Sequence, residues 1–416
     1  MAYEEPDKTK TPEENMIADS RKCLKALIEE EEFERNKMLD DLRFCTLDQW
    51  PTQIRNDRED TTQDGGPRPC LTIDKINQYI VQVVNDMRQG KPGINVRPQD
   101  DKADVETSKI LKGLIRNIED QSNADIAYAT GGESQTKIGL GYWRVTTEYV
   151  APDSDDQEIF IRSIPNTFAV YLGKHIMPDG SDAKEGFIID NMPVDTFKEQ
   201  YPGKKCAPDE FDELGTEDDY WHTGETVTVI ERYWLERRNE TLYVLGDGTT
   251  MLKSFYDKWP QAAGERPAIT KERPTHIEQL RWVKMTGLEV LDQRDLPGKY
   301  IPIIEVVGRV TWIDGKRVMW GLVRPAKDSL RMYNYWASAI TERMGLAPIV
   351  PWVAAEGQIE GREPEWRDSN KKKRSVLQYK SVVDGAGNQL PPPQRTEPVQ
   401  METAMASHMQ MIENDV

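Results

Sequence analysis

Cysteine and histidine are scarce in this chain, which has only four of each among its 416 residues. The cysteines form no C-x-x-C pair, and together with the histidines they show no spacing typical of a zinc site. The eight residues are Cys23, Cys45, Cys70, Cys206, His175, His222, His276 and His408. We therefore expect no metal, no cofactor, and reduced thiols in an intracellular setting.

Long hydrophobic runs are also lacking. No apolar stretch approaches the roughly 20 residues that a membrane-spanning helix needs. The first residues, Met-Ala-Tyr-Glu-Glu-Pro, have neither the basic nor the apolar region of a secretory signal. We expect a soluble chain with no membrane partner.

Motifs of several enzyme classes are missing as well. The sequence contains no G-x-x-x-x-G-K-[ST] loop of an ATPase and no G-x-S-x-G turn of a hydrolase. The acidic pairs Asp40–Asp41, Asp155–Asp156 and Asp218–Asp219 could bind a divalent cation, but a solvated surface is the more common role of such pairs. The sequence therefore favours a protein that is not an enzyme.

Apolar residues are few and acidic residues dominate. Hydrophobic residues make up 37% of the chain, the net charge is −18 and the mean hydropathy is −0.71. Such a surface attracts neither nucleic acid nor an anionic membrane, whereas 11 Trp and 15 Tyr argue against disorder. The composition fits several domains that are elongated, or that bury part of their surface against other chains.

The spacing of apolar residues changes near Gly139. Helical spacing covers residues 12–47, 73–90, 105–120 and 124–138, and Thr72 is the expected N-cap of the second segment. Between 139 and 310 the period is two, which predicts a hairpin of 142–149 with 158–164 and a sheet extended by 168–171 and 186–190. We further expect a short strand at 94–96, loops at 57–67 and 256–274, and a strand at 375–379. The order predicts an α+β fold.

A long helix is predicted at the end of this region, from Val323 to Leu346. Pro325 suits a first helical turn, and Gly345 and Pro348 end the helix. Its apolar stripe at three- and four-residue spacing comprises Leu330, Tyr333, Ala337, Ile340 and Met344. Taken alone, this pattern is most typical of an amphipathic core helix.

The segment after the long helix is rich in Pro and Gly and carries the basic run Lys371 to Arg374. A second helical pattern then starts near residue 397, and we expect it to continue beyond Val416. Two helices that bracket a small α/β module at 347–396 form a finger. Because neither helix alone can bury its flanks, we expect neighbouring copies to pack against this finger in a ring.

Short blocks along the chain resemble the portal proteins of short-tailed, double-stranded-DNA bacteriophages, and they occur in that family's order. They are Arg68-Pro-x-Leu-Thr-Ile-Asp-Lys-Ile76, Val84-Asn-Asp-x-Arg88, Val96-Arg-Pro98, Gly113-Leu-Ile-Arg-Asn-Ile118, Ser122-Asn-Ala124, Gly139-x-Gly-Tyr-Trp-Arg144, Ile301-Pro-Ile-Ile304, Gly321-Leu-Val-Arg324 and Tyr333-Asn-Tyr-Trp-x-Ser-x-x-Thr-Glu342. One departure is Tyr171-Leu-Gly-Lys-His175, which stands where the family tends to carry an Asp-Pro pair.

The resemblance implies a portal-like fold and a dodecameric ring at one capsid vertex. On that mapping, residues 1–322 form the wing body, with N-terminal helices over 12–138 and a β-rich part over 139–310. Residues 323–346 are the first stem helix, 347–396 the clip, and 397–416 the start of the second stem helix. The channel loop and helical crown of the family would follow Val416.

The resemblance also implies the partners. Double-stranded DNA enters and leaves through the central channel, the clip meets the terminase and later the tail adaptor proteins, and the body meets capsid and scaffolding proteins. The expected location is the virion, after assembly in the host cytoplasm.

Basic and aromatic residues of the finger are the candidate functional residues. Arg324, Lys327 and Arg331 are candidates for facing the channel or pairing with a neighbour's acids. Lys371, Lys372, Lys373 and Arg374 would form a basic girdle at the clip of a ring, although a solvated loop is the more common role of such a run. Trp352 and Trp366 could anchor a partner, but packing of the module is favoured for both.

Two other functions remain open on the sequence alone. An acidic cluster would suit a metal-dependent phage nuclease or packaging enzyme, and the same architecture would suit a non-portal head–tail adaptor.

Overall fold

The structure of the chain is a computed structural model, and its described residues fall in eleven stretches and one isolated position. They are 11–60, 67–90, 93–98, 104–206, 221–223, 225–259, 266–346, 352–370, 376–385, 387–395, 407 and 410–411. They group into two units, residues 1–45 with 77–324 and residues 46–76 with 325–416.

Capping side chains and residues with positive φ explain where several of the helices begin or end. In chain order they are α1 (Pro12–Cys45), α2 (Thr52–Glu59), α3 (Asn77–Gln89), α4 (Val105–Ser122), α5 (Ala124–Ile138), α6 (Val194–Gln200), α7 (Lys253–Asp257), α8 (Val323–Leu346) and α9 (Glu363–Arg367). Thr11 and Glu14 form a capping box before α1, because each side chain accepts the backbone N–H of the other, at 3.3 and 2.7 Å. Asn123, at φ 49°, separates α4 from α5, and Gly139, at φ 88°, ends α5.

The strands form one small sheet, one large sheet and two short pairs within the described residues. They are β1 (Leu140–Tyr149), β2 (Gln157–Ser163), β3 (Val170–Leu172), β4 (Glu185–Pro193), β5 (His222–Thr223), β6 (Thr226–Leu245), β7 (Thr250–Leu252), β8 (Ile269–Met285), β9 (Val290–Leu296), β10 (Ile303–Val307), β11 (Arg309–Ile313), β12 (Lys316–Trp320), β13 (Trp352–Val353) and β14 (Gln394–Arg395). The small sheet has the order β10-β1-β2, and all its pairs are antiparallel.

The large sheet has the order β3-β4-β6-β8-β9, with β5 and β7 also paired to β6. Strand β4 pairs with β6 only as far as Trp234, and β9 pairs with β8 only from Leu280 onward. The β6–β8 pairing itself continues to Leu245 and Ile269, so these two strands extend as a ribbon beyond β4 and β9. Only the short strand β7 pairs with this extension among the described strands, at Leu242–Val244 of β6.

Two hydrophobic clusters form the core of the first unit, and α1 contributes to both. Leu24 and Leu27 pack in one cluster with Phe187 and Trp221 of the large-sheet side. Met38, three turns further along α1, packs in the other cluster with residues of the small sheet and of β3. The length of α1 follows from this double packing, since one amphipathic helix covers two cores.

The second unit contains α2, nearly all of α8 and the described parts of residues 352–395. In this last segment, β13 pairs with β14, and Val383 forms an isolated bridge with Gln389. None of the helices within the described residues combines the length and the apolar composition needed to cross a membrane.

The α+β prediction is confirmed, as are the helices at 105–120 and 124–138 and the hairpin of 142–149 with 158–164. The predicted extension of that hairpin is wrong, because 170–172 and 185–193 belong to the large sheet. Thr72 is not a cap, since α3 begins at Asn77. Residues 94–96 are not a strand, and neither is the described part, 376–379, of the strand predicted at 375–379. The loop predicted at 57–67 overlaps α2, and the one at 256–274 includes the start of β8; residues 61–66 and 260–265 lie outside the described part.

Candidate functional site

The start of α8 is fixed by an ion pair inside the first unit. The Arg324 Nε donates to Asp41 Oδ2 at 2.8 Å, and its Nη1 donates to the carbonyl oxygen of Met319 at 3.1 Å and lies 3.4 Å from Glu34 Oε2. The Asp41 side chain is fully buried, so the guanidinium compensates a carboxylate that is removed from water. This contact ties the first turn of α8 to α1.

The predicted apolar stripe of α8 is buried. Leu330, Tyr333, Ala337 and Ile340 are each at most 9% exposed, which confirms that they share one face. The Met344 side chain lies outside the described residues.

A second stripe of α8 is polar, buried and bound to an extended segment. Asn334 and Ser338 are 1% and 0% exposed. Asn334 Oδ1 accepts the Ile73 N–H at 2.9 Å, and Ser338 Oγ accepts the Leu71 N–H at 2.8 Å. The Asn334 Nδ2 donates to Gln49 Oε1 at 2.6 Å. These side chains replace the strand partner that the extended backbone at 71–73 would otherwise need.

The polar stripe continues one turn further, at Glu342. Its carboxylate lies 2.8 Å from Arg58 Nη2 and 3.8 Å from Arg68 Nε. The Arg58 guanidinium also donates to the Pro69 carbonyl oxygen at 3.1 Å, and it lies 5.6 Å from the ring centre of Tyr335. Two of the sequence blocks quoted above, 68–76 and 333–342, therefore bind each other in the second unit.

We expect Asn334→Leu to release the extended segment from α8. Leucine keeps the branching and the number of heavy atoms of the asparagine side chain, but it can neither accept from the Ile73 N–H nor donate to Gln49 Oε1. Each buried group that loses such a bond costs about 1–3 kcal/mol. Amide hydrogen exchange at Leu71 and Ile73 should accelerate at least tenfold. Met332→Leu, at a half-exposed position of the same helix, should leave exchange unchanged; unchanged exchange in Asn334→Leu would contradict the assignment.

The described part of the module at 352–395 is organised around two tryptophans. The Trp366 ring is 7% exposed and meets Trp352 edge to face at 5.0 Å between ring centres. The Trp366 Nε1 donates to the Gln378 carbonyl oxygen at 3.0 Å, and the Trp352 Nε1 donates to Ser369 Oγ at 3.0 Å. Both indoles thus take the packing role that the sequence favoured for them, while their contact with a partner stays a prediction.

Gln358 connects three segments of this module, at Ala355, Lys380 and Pro391. It is 1% exposed; its Oε1 accepts the Ala355 N–H at 2.9 Å and its Nε2 donates to the Pro391 carbonyl oxygen at 2.8 Å. Its backbone oxygen accepts the Lys380 N–H at 2.8 Å. One buried residue therefore connects, through its side chain and its backbone, segments that are far apart in sequence.

The other candidate residues are placed as follows. Lys327 is buried in α8, and Arg331 is half-buried with its Nη1 3.8 Å from Asp328 Oδ1. The basic run Lys371, Lys372, Lys373 and Arg374 lies outside the described residues. A channel role for Arg324, Lys327 and Arg331 stays a prediction. Of the acidic pairs, Asp41 is bound to Arg324, and residues 218–219 lie outside the described part; within that part, no three potential metal-binding side chains cluster.

A buried ion cluster in the first unit was missed by the sequence reading. Glu305 Oε2 lies 2.8 Å from His175 Nε2 and 2.8 Å from Arg317 Nη2. Arg317 also contacts His175 directly, and the Tyr142 hydroxyl lies 3.4 Å from Glu305 Oε1. Burial raises the pKa of Tyr142 well above its ordinary value, and the charge of Glu305 adds to this. The cluster includes His175, at the end of the segment where the sequence departs from the portal pattern.

We expect the stability of the first unit to decrease as His175 loses its proton. Burial lowers the pKa of His175, but the hydrogen bond and the charge of Glu305 outweigh it, so the pKa lies above its ordinary 6.5. The protonated form therefore stabilises the folded state fully below that ordinary value, and its contribution is lost as the pH rises through the raised pKa. The slope should not exceed about 1.4 kcal/mol per pH unit for one proton.

Urea unfolding of wild type and of His175→Gln at several pH values measures this effect. The stability difference between the two proteins should shrink with rising pH, and a difference independent of pH would refute the assignment.

Comparison with known proteins identifies the family of this chain. The family model of phage P22-like portal proteins matches residues 21–416. This chain belongs to the P22-like portal protein family. The portal protein of Acyrthosiphon pisum secondary endosymbiont phage 1 is 24% identical to it over an alignment of 368 residues, which covers 84% of this chain and 50% of that protein. The chain thus spans about half the length of this curated relative.

The predicted portal resemblance is confirmed by this match. The portal family is structural, which agrees with the absence of nucleotide-binding and hydrolase motifs from the sequence. The mutual contact of blocks 68–76 and 333–342 gives these portal motifs a physical role, since each satisfies the hydrogen bonds of the other.

Proposed function

We propose that this portal protein forms a dodecameric ring at one vertex of a phage capsid and conducts double-stranded DNA in both directions. The match of the portal family along residues 21–416 carries the proposal. The long helix α8, held at its start by Arg324 and along its length by the 68–76 segment, supports it as a rigid stem.

We assign the parts of the ring as in the sequence mapping. Residues 1–322 are the wing body, 323–346 the first stem helix, 347–396 the clip and 397–416 the start of the second stem helix. The packed tryptophans at 352 and 366 support a clip with its own small core. Of 397–416, the structure describes residues 407 and 410–411, and their backbone is helical.

The mechanism is geometric and electrostatic. DNA carries one negative charge per roughly 1.7 Å of its axis, and the chain carries a net charge of −18. An acidic passage repels the DNA from all sides, so the duplex is centred and slides without being held. The terminase and the tail adaptors dock on the clip in turn, while capsid and scaffolding proteins contact the body; the ring is assembled in the host cytoplasm and stays in the virion.

The mass of the purified full-length protein tests this proposal against a nuclease. Twelve copies of at least this 47.8 kDa chain form a particle of roughly half a megadalton or more, and that particle should hydrolyse neither DNA nor nucleotide. A monomer that cleaves DNA with Mg²⁺ would replace the portal proposal with the metal-dependent nuclease. A ring that binds to preassembled heads but never supports packaging would favour the head–tail adaptor.

Deletion of residues 347–396 tests the clip. A short Gly-Ser linker in their place should leave ring formation intact and abolish co-sedimentation with the terminase. Reversal of the four charges at 371–374 alone is the finer variant, and it should weaken docking without unfolding the module. Persistent terminase docking after the deletion would contradict the clip assignment.

A further inference from the structure

One face of α1 presents a large aromatic side chain to solvent. Phe33 is 70% exposed in the middle of a 34-residue helix. Glu29 and Asn36 lie one turn before and one turn after it on the same face, Glu32 lies beside it, and all three are exposed. Lys37 lies over the Phe33 ring at 4.0 Å but is itself paired with Glu34 at 2.8 Å. The face is thus an apolar knob bordered by carboxylates.

One face of α4 leaves open space at its centre, at a position that we call the notch. Gly113 lies in the middle of this helix, and a Cβ placed on it would meet nothing within 4 Å. A mid-helix glycine costs about 0.5–1 kcal/mol relative to alanine, yet no described group of the same chain uses the space. The four residues around this notch, at three and four positions on either side, are Lys109, Ile110, Arg116 and Asn117, and all are exposed.

The chemistry of the notch complements that of the knob. Ile110 is 70% exposed and the adjacent Leu114 is 51% exposed, so one wall is apolar. Lys109 and Arg116 form the other wall, and this cationic wall stands out in a chain of net charge −18. The structure records no ion pair for Glu29, Glu32, Lys109 or Arg116 among the described residues.

We propose that Phe33 of one copy inserts at Gly113 of the next copy, with Glu29 and Glu32 facing Lys109 and Arg116. This inference rests on the proposed ring and names the contact that closes it. Each copy carries both faces, on different helices of the first unit. A contact between two different faces is heterologous, and heterologous contacts generate closed rings when the rotation permits. Insertion covers the apolar ring and the apolar wall together, and each carboxylate gains a cation.

The knob and the notch can be altered without disturbing the fold of one subunit. Phe33→Asp should raise the protein concentration needed for half-assembly at least tenfold. Gly113→Leu should do the same while leaving the melting temperature of the isolated subunit unchanged or higher, because leucine is the better helix former. Phe255→Asp is the matched control, since Phe255 is 65% exposed on α7, and it should assemble like wild type.

The decisive test exchanges the charges between the two faces. Glu29→Lys with Glu32→Lys should weaken assembly, and Lys109→Glu with Arg116→Glu should weaken it too. The protein that combines all four substitutions should assemble within about threefold of wild type. Native mass spectrometry of the rings is the readout.

The outcomes of these experiments distinguish the proposed contact from the proposed ring. Rings that tolerate every substitution, or a combined protein that fails to recover, would overturn this contact while the ring itself stands. A wild-type protein that stays monomeric at all concentrations would overturn the ring and the contact with it. Normal rings that lose DNA binding when positions 109 and 116 are reversed would assign the cationic wall to DNA and also overturn the contact.

Discussion

Replacement of Glu305 with alanine is expected to destabilise the first unit by about 3–5 kcal/mol, because it leaves a buried cation without its counter-charge. The Glu305 side chain is 2% exposed and is shared between His175 and Arg317. The lost carboxylate would leave the Arg317 guanidinium, on strand β12, and the Tyr142 hydroxyl without the acceptor they face. Strand β12 leads directly into α8, so the loss should also loosen the start of the long helix.

Urea unfolding followed by circular dichroism measures this cost. Glu236→Ala is the matched control, since Glu236 forms an exposed pair with Arg281 at 3.3 Å, and exposed pairs contribute about 0–1 kcal/mol. Equal losses for Glu305→Ala and Glu236→Ala would contradict the buried cluster.

Replacement of Arg324 with methionine should cost about as much, roughly 3–5 kcal/mol, because it removes the guanidinium that meets the buried Asp41 side chain. The side chains of Arg324 and Asp41 are 21% and 0% exposed, and the two meet at 2.8 Å. A buried ion pair can often be replaced by apolar residues at little net cost. We therefore expect the double variant Arg324→Met with Asp41→Leu to recover most of the lost stability.

The single variant Arg324→Met and the double variant with Asp41→Leu also test the role of Arg324. If the guanidinium serves mainly to anchor α8 to α1, stability falls in the single variant and returns in the double one. A single variant with wild-type stability would contradict the anchoring contact and would favour the channel role that the sequence suggested.

Local patterns were enough to predict several elements. The apolar stripe of α8 appears at positions 330, 333, 337 and 340 and is buried as expected, because helical spacing alone fixes which residues share a face. The hairpin β11–β12 was missed although a signal was present. Asp314 and Gly315 both adopt positive φ, at 49° and 73°, which is the requirement of the tight hairpin turn that an Asp-Gly pair predicts.

Contacts between distant segments could not be predicted from the sequence. The Thr72 segment looked like a helix start because its apolar residues follow helical spacing, but Asn334 and Ser338 bind its backbone in an extended form. The Glu305 cluster joins residues 130 positions apart, and no local pattern connects them. Asn334, Ser338 and Glu342, polar residues at four-residue spacing beside the apolar stripe of α8, are the signal that could have pointed to this contact.

Negative-stain imaging of the purified full-length protein tests the ring most directly. The proposed dodecamer should appear as closed rings of about twelve copies with a central hole wide enough for a DNA duplex. Single globular particles, or open chains without a hole, at every protein concentration would contradict it.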